Sequence, residues 1–330
     1  MRPKLNDVAK VAGVSPTTVS RVINNHGYLS EETKQKVFQA MKTLNYHPNS
    51  LARSLHGKQT QLIGVLFSSV SNPFFGELVE KIENKLFKLG YKTILCNSAD
   101  NKEKERSYLA MLMANQVDGI IAGSHNLGIK EYEQVGLPII SFDRLLSETI
   151  PIVSSDNYQG GVLATQELYQ NGARSIYLFA SSRTPGSPTD KRRTGYLETM
   201  ARLHLQDHEE TISFSMPTSV KSLMIRQILS SQSPDGIFCT DDLTALLVLQ
   251  QARELGIRVP QDLKIIGYDG TSFIQNYHPE LTTIAQPIRD MAELLVDLLL
   301  QRIADEKADL KPHYVLPVKL IRNQSSSQFV

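Results

Sequence analysis

Between Leu62 and Gln286 the chain carries nine short runs rich in Ile, Val and Leu, separated by stretches whose apolar residues recur at helical spacing. The runs are Leu62 to Phe67, Lys92 to Asn97, Gly119 to Gly123, Pro138 to Asp143, Ser175 to Ala180, Thr211 to Ser215, Gly236 to Thr240, Lys264 to Tyr268 and Thr282 to Gln286. A strand that is apolar nearly throughout is buried on both faces, and a helix between successive strands makes the sheet parallel. A polar stretch from Arg183 to Asp190 interrupts the rhythm, and there are strands enough for two sheets. The expected fold class is therefore α/β: two doubly wound lobes, with a ligand crevice at the carboxyl ends of their strands.

The first 58 residues read differently. Apolar spacing predicts helices over Leu5 to Ala12, about Pro16 to Asn24, and Glu31 to Leu44. Gly13 supplies the first turn, Ser15 caps the second helix with Pro16 at its first position, and Ser30 caps the third. The residue before Pro48 is disfavoured in helix, so this all-α head ends there. Residues 49 to 60 form a linker, whose Asn49 to Lys58 segment is too short to be a stable helix alone. Residues 61 to 330 form the body.

Formal charge follows the same division. The whole chain is +1, yet residues 1 to 58 hold nine Lys and Arg against three acids. Clustered cations seek phosphates, which points to a nucleic-acid-binding or membrane-surface head on a mildly acidic body. The two cysteines, Cys96 and Cys239, lie in apolar runs and read as core thiols. Neither an apolar leader nor a run of spanning length is present, so a cytoplasmic protein without a membrane partner is expected.

Leu5 to Asn24 has the ingredients of a helix-turn-helix. Val8, Ala9 and Ala12 form one apolar face, and Val19, Val22 and Ile23 bury the second helix against it. Thr17, Thr18, Ser20 and Arg21 remain outside, where a helix N-terminus can enter the major groove. Arg21 can donate two bonds to a guanine, while Pro16 and Thr17 can meet a thymine methyl. The bland alternative is a three-helix bundle with a solvated polar face, which the basic bias opposes.

The segments Asp7-Val8-Ala9, Gly13-Val14-Ser15 and Thr18-Val19-Ser20-Arg21-Val22, followed by Asn45-Tyr46 and Pro48-Asn49, resemble the lac repressor family. Pro260, Gly267-Tyr268-Asp269, Leu281-Thr282-Thr283-Ile284, Gln286-Pro287 and Leu316-Pro317 extend the resemblance through the body. It implies a periplasmic-binding-protein-like body whose chain crosses between lobes near 155–162 and 285–290. Ser15-Pro16-Thr17-Thr18, Gly27-Tyr28-Leu29-Ser30, Gly123 to Gly128 and Ser155-Asp156-Asn157-Tyr158 are most similar to the sucrose operon repressors of Gram-positive bacteria. The resemblance implies contacts to double-stranded operator DNA from Pro16, Thr17, Thr18, Ser20, Arg21, Asn24 and Tyr46. It also implies a hinge helix in which Asn49, Ala52 and Arg53 touch DNA and Leu55 wedges into the minor groove. A plain interdomain linker is the alternative.

A sugar or sugar-phosphate effector needs polar groups for its hydroxyls, a cation to orient it and an aromatic wall. The candidates at predicted strand ends are Ser68, Ser71, Phe74, Asp143, Arg192, Asp241, Asp269 and Gln286. Arg192, three residues before Gly195, and Asp269, after Gly267-Tyr268, match the effector-contact arginine and aspartate of the family. Asp241, Asp242 and Asp269 could instead be helix caps or turn residues, Asp242 foremost. No histidine stands beside these acids at metal-ligand spacing, and His125, ambiguous on its loop because a lone histidine is usually structural, is given no part in the mechanism. No cofactor is called for.

The expected function is a homodimeric repressor of a sugar operon, sucrose foremost, released by its effector. An enzyme is disfavoured by the lack of a glycine-rich dinucleotide turn, a phosphate loop or a nucleophile elbow. A transport solute-binding protein is opposed by the basic head. A global carbon-catabolite regulator answering to a phosphorylated phosphocarrier protein is the closer alternative. That branch carries an arginine where this chain reads Asp297, an acid that would repel the phosphate.

Overall fold

The structure, a computed structural model, describes residues 3–24, 26–46, 59–99, 101–123, 126, 128–181, 187–213 and 216–327. Asn49, Ala52, Arg53, Leu55 and His125 lie outside the described residues. The chain divides into two compact units, Met1–Thr60 and Gln61–Val330.

The first unit contains helices α1 (Leu5–Ala12), α2 (Pro16–Ile23) and α3 (Glu31–Thr43). Gly13 ends α1 at φ 67°, a left-handed conformation that glycine adopts without a Cβ penalty. The Ser15 hydroxyl accepts the Thr18 N–H at 3.1 Å and the Ser30 hydroxyl that of Thr33 at 3.3 Å, so both expected caps are made. Val8, Ala9, Ala12, Val19, Val22, Val37 and Ala40 are the buried centre, and Leu5, Leu29 and Tyr46 pack at its edge.

The second unit is built from two six-stranded sheets. Its elements run β1 (Leu62–Phe67), α4 (Pro73–Lys88), β2 (Lys92–Asn97), α5 (Lys102–Ala114), β3 (Gly119–Gly123), β4 (Ile139–Phe142), β5 (Ile152–Ser155), α6 (Asn157–Gln170), β6 (Ile176–Ala180), α7 (Lys191–Arg202), β7 (His208–Thr211) and α8 (Thr218–Ser231). They continue with β8 (Gly236–Cys239), α9 (Asp242–Glu254), β9 (Lys264–Asp269), α10 (Ser272–Tyr277), β10 (Thr282–Ala285), α11 (Ile288–Ala304), β11 (His313–Leu316) and β12 (Lys319–Ile321). The lobe 1 sheet has the order β11-β5-β4-β3-β1-β2, and the lobe 2 sheet the order β12-β10-β9-β8-β6-β7. All pairings are parallel except β10 with β12.

Both faces of each sheet are covered, which is why the central strands are buried throughout. In lobe 1, Ile63, Val65 and Phe67 pack on α4 and α11, while Leu66 and Ile120 meet Leu109 and Leu112 of α5 on the other face. Lobe 2 repeats the arrangement with α8 and α9 on one side and α6 and α7 on the other. The chain crosses between lobes three times. Two crossings fall after β5 and after β10, and a third, which sequence patterning did not anticipate, lies between β11 and β12.

Three strands were not read from the sequence and one was misplaced. β5 is half serine, and β11 and β12 are partly exposed edge strands, so none of the three carries a buried apolar run of the kind that marks the central strands. The expected strand at Thr211 to Ser215 is instead His208–Thr211, an edge strand whose four residues, His-Glu-Glu-Thr, carry no apolar run. No helix among the described residues is long and apolar enough to cross a membrane.

Candidate nucleic-acid interface and ligand cleft

On the head, Pro16, Thr17 and Arg21 are exposed, while Thr18, Ser20 and Asn24 are half-buried. The Thr18 hydroxyl lies 2.9 Å from that of Ser15, and the Asn24 amide donates to the Ser20 carbonyl at 2.8 Å and to its hydroxyl at 3.3 Å. Three polar groups expected to face DNA are thus partly engaged in holding α2 together. Pro16, Thr17 and Arg21 are the open part of its surface. Tyr46 packs against the head core.

In the body, the carboxyl ends of β1, β3, β4, β6, β8, β9 and β10 converge on one cleft. Phe74, Phe142, Asp143, Arg144, Thr189, Arg192, Thr240, Asp269 and Gln286 line it, among others. Its wall in lobe 1 is aromatic, with Phe74 5.4 Å from Phe75 and 5.8 Å from Phe142 between ring centroids. Arg192, in the first turn of α7, stands at the centre. Its Nε donates to Asn157 Oδ1 at 2.7 Å and its Nη1 to the Thr240 carbonyl at 2.7 Å. The guanidinium lies 3.6 Å over the Tyr268 ring, a cation–π contact. Asp143 of lobe 1 and Asp269 of lobe 2 approach it at 3.9 and 4.0 Å.

Both carboxylates sit on strained backbone, Asp143 at φ 54° and Asp269 at φ 123°, a pattern that collects at binding sites. Burial, opposed by Arg192 and Arg144, raises Asp143 above the ordinary carboxylate range. Burial first, with Asp241 and Asp143 adding to it, pushes Asp269 up to about 7 against the pull of Arg192 and Gln286. The Gln286 amide donates to Asp269 Oδ1 at 2.8 Å, and its own Oε1 is buried without a hydrogen-bond partner among the described residues. Gln286 lines the cleft, and a ligand hydroxyl is the kind of group that satisfies such an acceptor.

Of the eight expected effector residues, Phe74, Asp143, Arg192, Asp269 and Gln286 line this cleft, and Ser68, Ser71 and Asp241 do not. Ser68 is buried at the end of β1, and Ser71 is exposed with its hydroxyl 2.8 Å from that of Ser69. Asp241 is the N-cap of α9, accepting the Thr244 N–H at 2.8 Å and its hydroxyl at 2.7 Å. Asp242, read foremost as a helix cap or a strand-end turn residue, does not cap α9 but joins the turn after β9 to β10. It accepts the Gly270 N–H at 2.7 Å and the Thr283 hydroxyl at 2.6 Å.

Sequence reasoning missed Asn157, whose amide also donates to Asp143 Oδ1 at 3.0 Å and so holds acid and arginine in one network. A polar side chain in the first turn of a helix at a lobe crossing was the available signal. Arg144, Phe75 and Phe142 were missed as well, being hidden in apolar or turn segments. Among the described residues, no group of three or more His, Cys, Asp or Glu side chains is arranged to hold a metal.

A three-helix head with an exposed second helix, joined in one chain to a two-lobed body with an interlobe cleft, defines a ligand-responsive DNA-binding regulator. Residues 4–49 match the model of the lacI family of bacterial regulatory proteins, and residues 165–326 match the periplasmic binding protein-like domain. The chain belongs to the lacI family, and is a transcription regulator and not an enzyme. It is similar to the sucrose operon repressor of Pediococcus pentosaceus, 61% identical with 98% of this chain and 99% of that one covered. The sucrose operon repressor of Streptococcus mutans is 52% identical, covering 98% and 100%. Among solved structures, the lac repressor dimer bound to operator and the anti-inducer ONPF has a TM-score of 0.83 at 29% identity, covering 99% of each chain.

Proposed function

We propose that this chain is the cytoplasmic, homodimeric repressor of a sucrose-utilisation operon, and that a sugar bound in the cleft releases it from its operator. The observation that carries the reading is the cleft, whose Asp143, Arg192 and Asp269 come from both lobes and meet within 4.0 Å. A ligand touching both walls favours one disposition of the lobes by its differential affinity. The full-length relatives named as sucrose operon repressors supply the choice of operon, and the lac repressor dimer supports the dimer. Two recognition helices one DNA turn apart read a palindrome better than one.

In this reading Pro16, Thr17 and Arg21 contact base edges. Phe74 and its aromatic neighbours hold the apolar face of the sugar, while Asp143, Arg192, Asp269 and Gln286 take its hydroxyls. At the position where the phosphoprotein-responsive branch carries arginine, Asp297 is paired with Lys85 at 2.6 Å.

The test is a titration of a palindrome from the protein's own promoter region at fixed salt, with sucrose, fructose and their phosphates added in turn. Weakening of specific binding by one of these sugars is the expected result. No response to any of them, together with a response to a phosphorylated phosphocarrier protein, overturns it.

A further inference from the structure

Two sets of hydrogen bonds join the lobes through side chains outside the Arg192 network. Arg144, which follows β4 of lobe 1, donates from Nη1 to the Ser187 hydroxyl at 2.5 Å and the Thr189 hydroxyl at 2.9 Å, both between β6 and α7 of lobe 2. Glu77, on α4 of lobe 1, accepts the Ser272 N–H and hydroxyl, each at 2.8 Å, at the start of α10 in lobe 2. Sheet order fixes where these bridges stand. In lobe 1, β4 and β1 flank β3; in lobe 2, β6 and β9 flank β8. The first bridge joins the β4 end to the β6 end, and the second the helix after β1 to the turn after β9. They therefore stand on opposite sides of the cleft's midline, where Gly123 at the end of β3 and Thr240 after β8 line it.

From this placement we infer that Arg144 with Ser187 and Thr189, and Glu77 with Ser272, form a pair of clasps that hold the lobes together without ligand. They set how much of the free protein is ready to bind effector. Each bridge combines a charged side chain with a hydroxyl, the stronger class of hydrogen bond. Arg144 is buried, so its bonds to the two hydroxyls are shielded from competition by water. The inference rests on the cleft being the effector site only for its binding consequence. Apparent affinity scales with the fraction of molecules in the competent state, so a tenfold loss of the joined form weakens effector binding about tenfold.

The experiment uses the full-length protein carrying one spin label on each lobe, at exposed Glu148 and exposed Gln206, with interlobe distances measured in the absence of sugar. Glu77→Ala, Arg144→Met and the double change Ser187→Ala with Thr189→Val are each expected to lengthen or broaden the distance distribution. The last variant reproduces Arg144→Met because it removes the acceptors and leaves the arginine. Each also raises the concentration of the releasing sugar at half effect. An unchanged distribution in all three variants overturns the clasps. Loss of sugar affinity in Arg144→Met alone, with the distances unmoved, makes Arg144 a direct ligand contact and overturns them too. Because the distances are read without sugar, failure of the sugar assignment leaves this result standing.

Discussion

Arg21 and Asp269 show how one side chain can carry a testable share of each activity. Arg21 is exposed on α2. A bidentate arginine–guanine contact contributes roughly 1–3 kcal/mol of discrimination, so Arg21→Ala should weaken operator binding by about 5- to 150-fold. Binding to unrelated DNA should fall far less, and a gel-shift comparison of the two probes at one salt concentration reads the difference. An equal loss on both probes would make Arg21 a phosphate contact. Asp269 is raised from 3.8 to about 7 by burial. A raised carboxyl favours the fold fully below its unfolded value, and that contribution is lost as pH rises through about 7. Asp269→Asn removes the ionised form, so its melting temperature relative to the parent should be higher at pH 8 than at pH 5. A gap of equal size at both pH values would show that Asp269 does not titrate in this range. The cleft was half legible at this scale: acids and an arginine at strand ends stand out in a sequence, but Asn157 and Arg144 act through partners far along the chain. Asp241 was read as an effector contact and Asp242 foremost as a cap or turn residue, whereas Asp241 caps α9 and Asp242 joins the turn after β9 to β10.

Helices α6 and α7 pack so closely that glycines decide their separation. A Cβ on Gly161 would fall on the carbonyl oxygen of Arg192, and one on Gly195 on that of Tyr158. In an exposed helix, replacing glycine by alanine gains about 1 kcal/mol. Here the obstacle is backbone, and overpacking of this kind costs typically 1–3 kcal/mol, so the loss wins. Gly161→Ala should lower the melting temperature of the body and, by pushing away the turn that carries Arg192, weaken the sugar response more than operator binding itself. Thermal melts and the operator titration with and without sugar measure the two effects. An alanine variant as stable as the parent would show that the helices can part without cost. Legibility at the scale of elements followed burial. The central strands β1, β3, β6, β8 and β9 are buried nearly throughout and were readable as apolar runs. Edge strand β7 is polar, and β11 and β12, between which the third crossing lies, are edge strands only partly buried.

Across the whole molecule, charge and ligand chemistry are divided between different parts of the chain. Nine of the 35 Lys and Arg lie in residues 1 to 58 against three acids, whereas in the cleft the carboxylates of Asp143 and Asp269 gather around Arg192. DNA affinity therefore has a strongly salt-dependent, sequence-independent part carried by residues outside the cleft. What the sugar can alter is the equilibrium between states of the protein that bind operator differently. Linkage then requires reciprocity: if the sugar weakens operator binding by some factor, operator weakens sugar binding by the same factor, commonly about 5- to 150-fold for coupled sites. Calorimetric titration of the releasing sugar into free protein and into the operator complex, at one ionic strength, should return the factor obtained from DNA binding. Unrelated DNA, held mainly by phosphate contacts, should leave sugar affinity nearly unchanged. Equal sugar affinity with and without operator would mean that the cleft and the head are not coupled, and that release proceeds by another route.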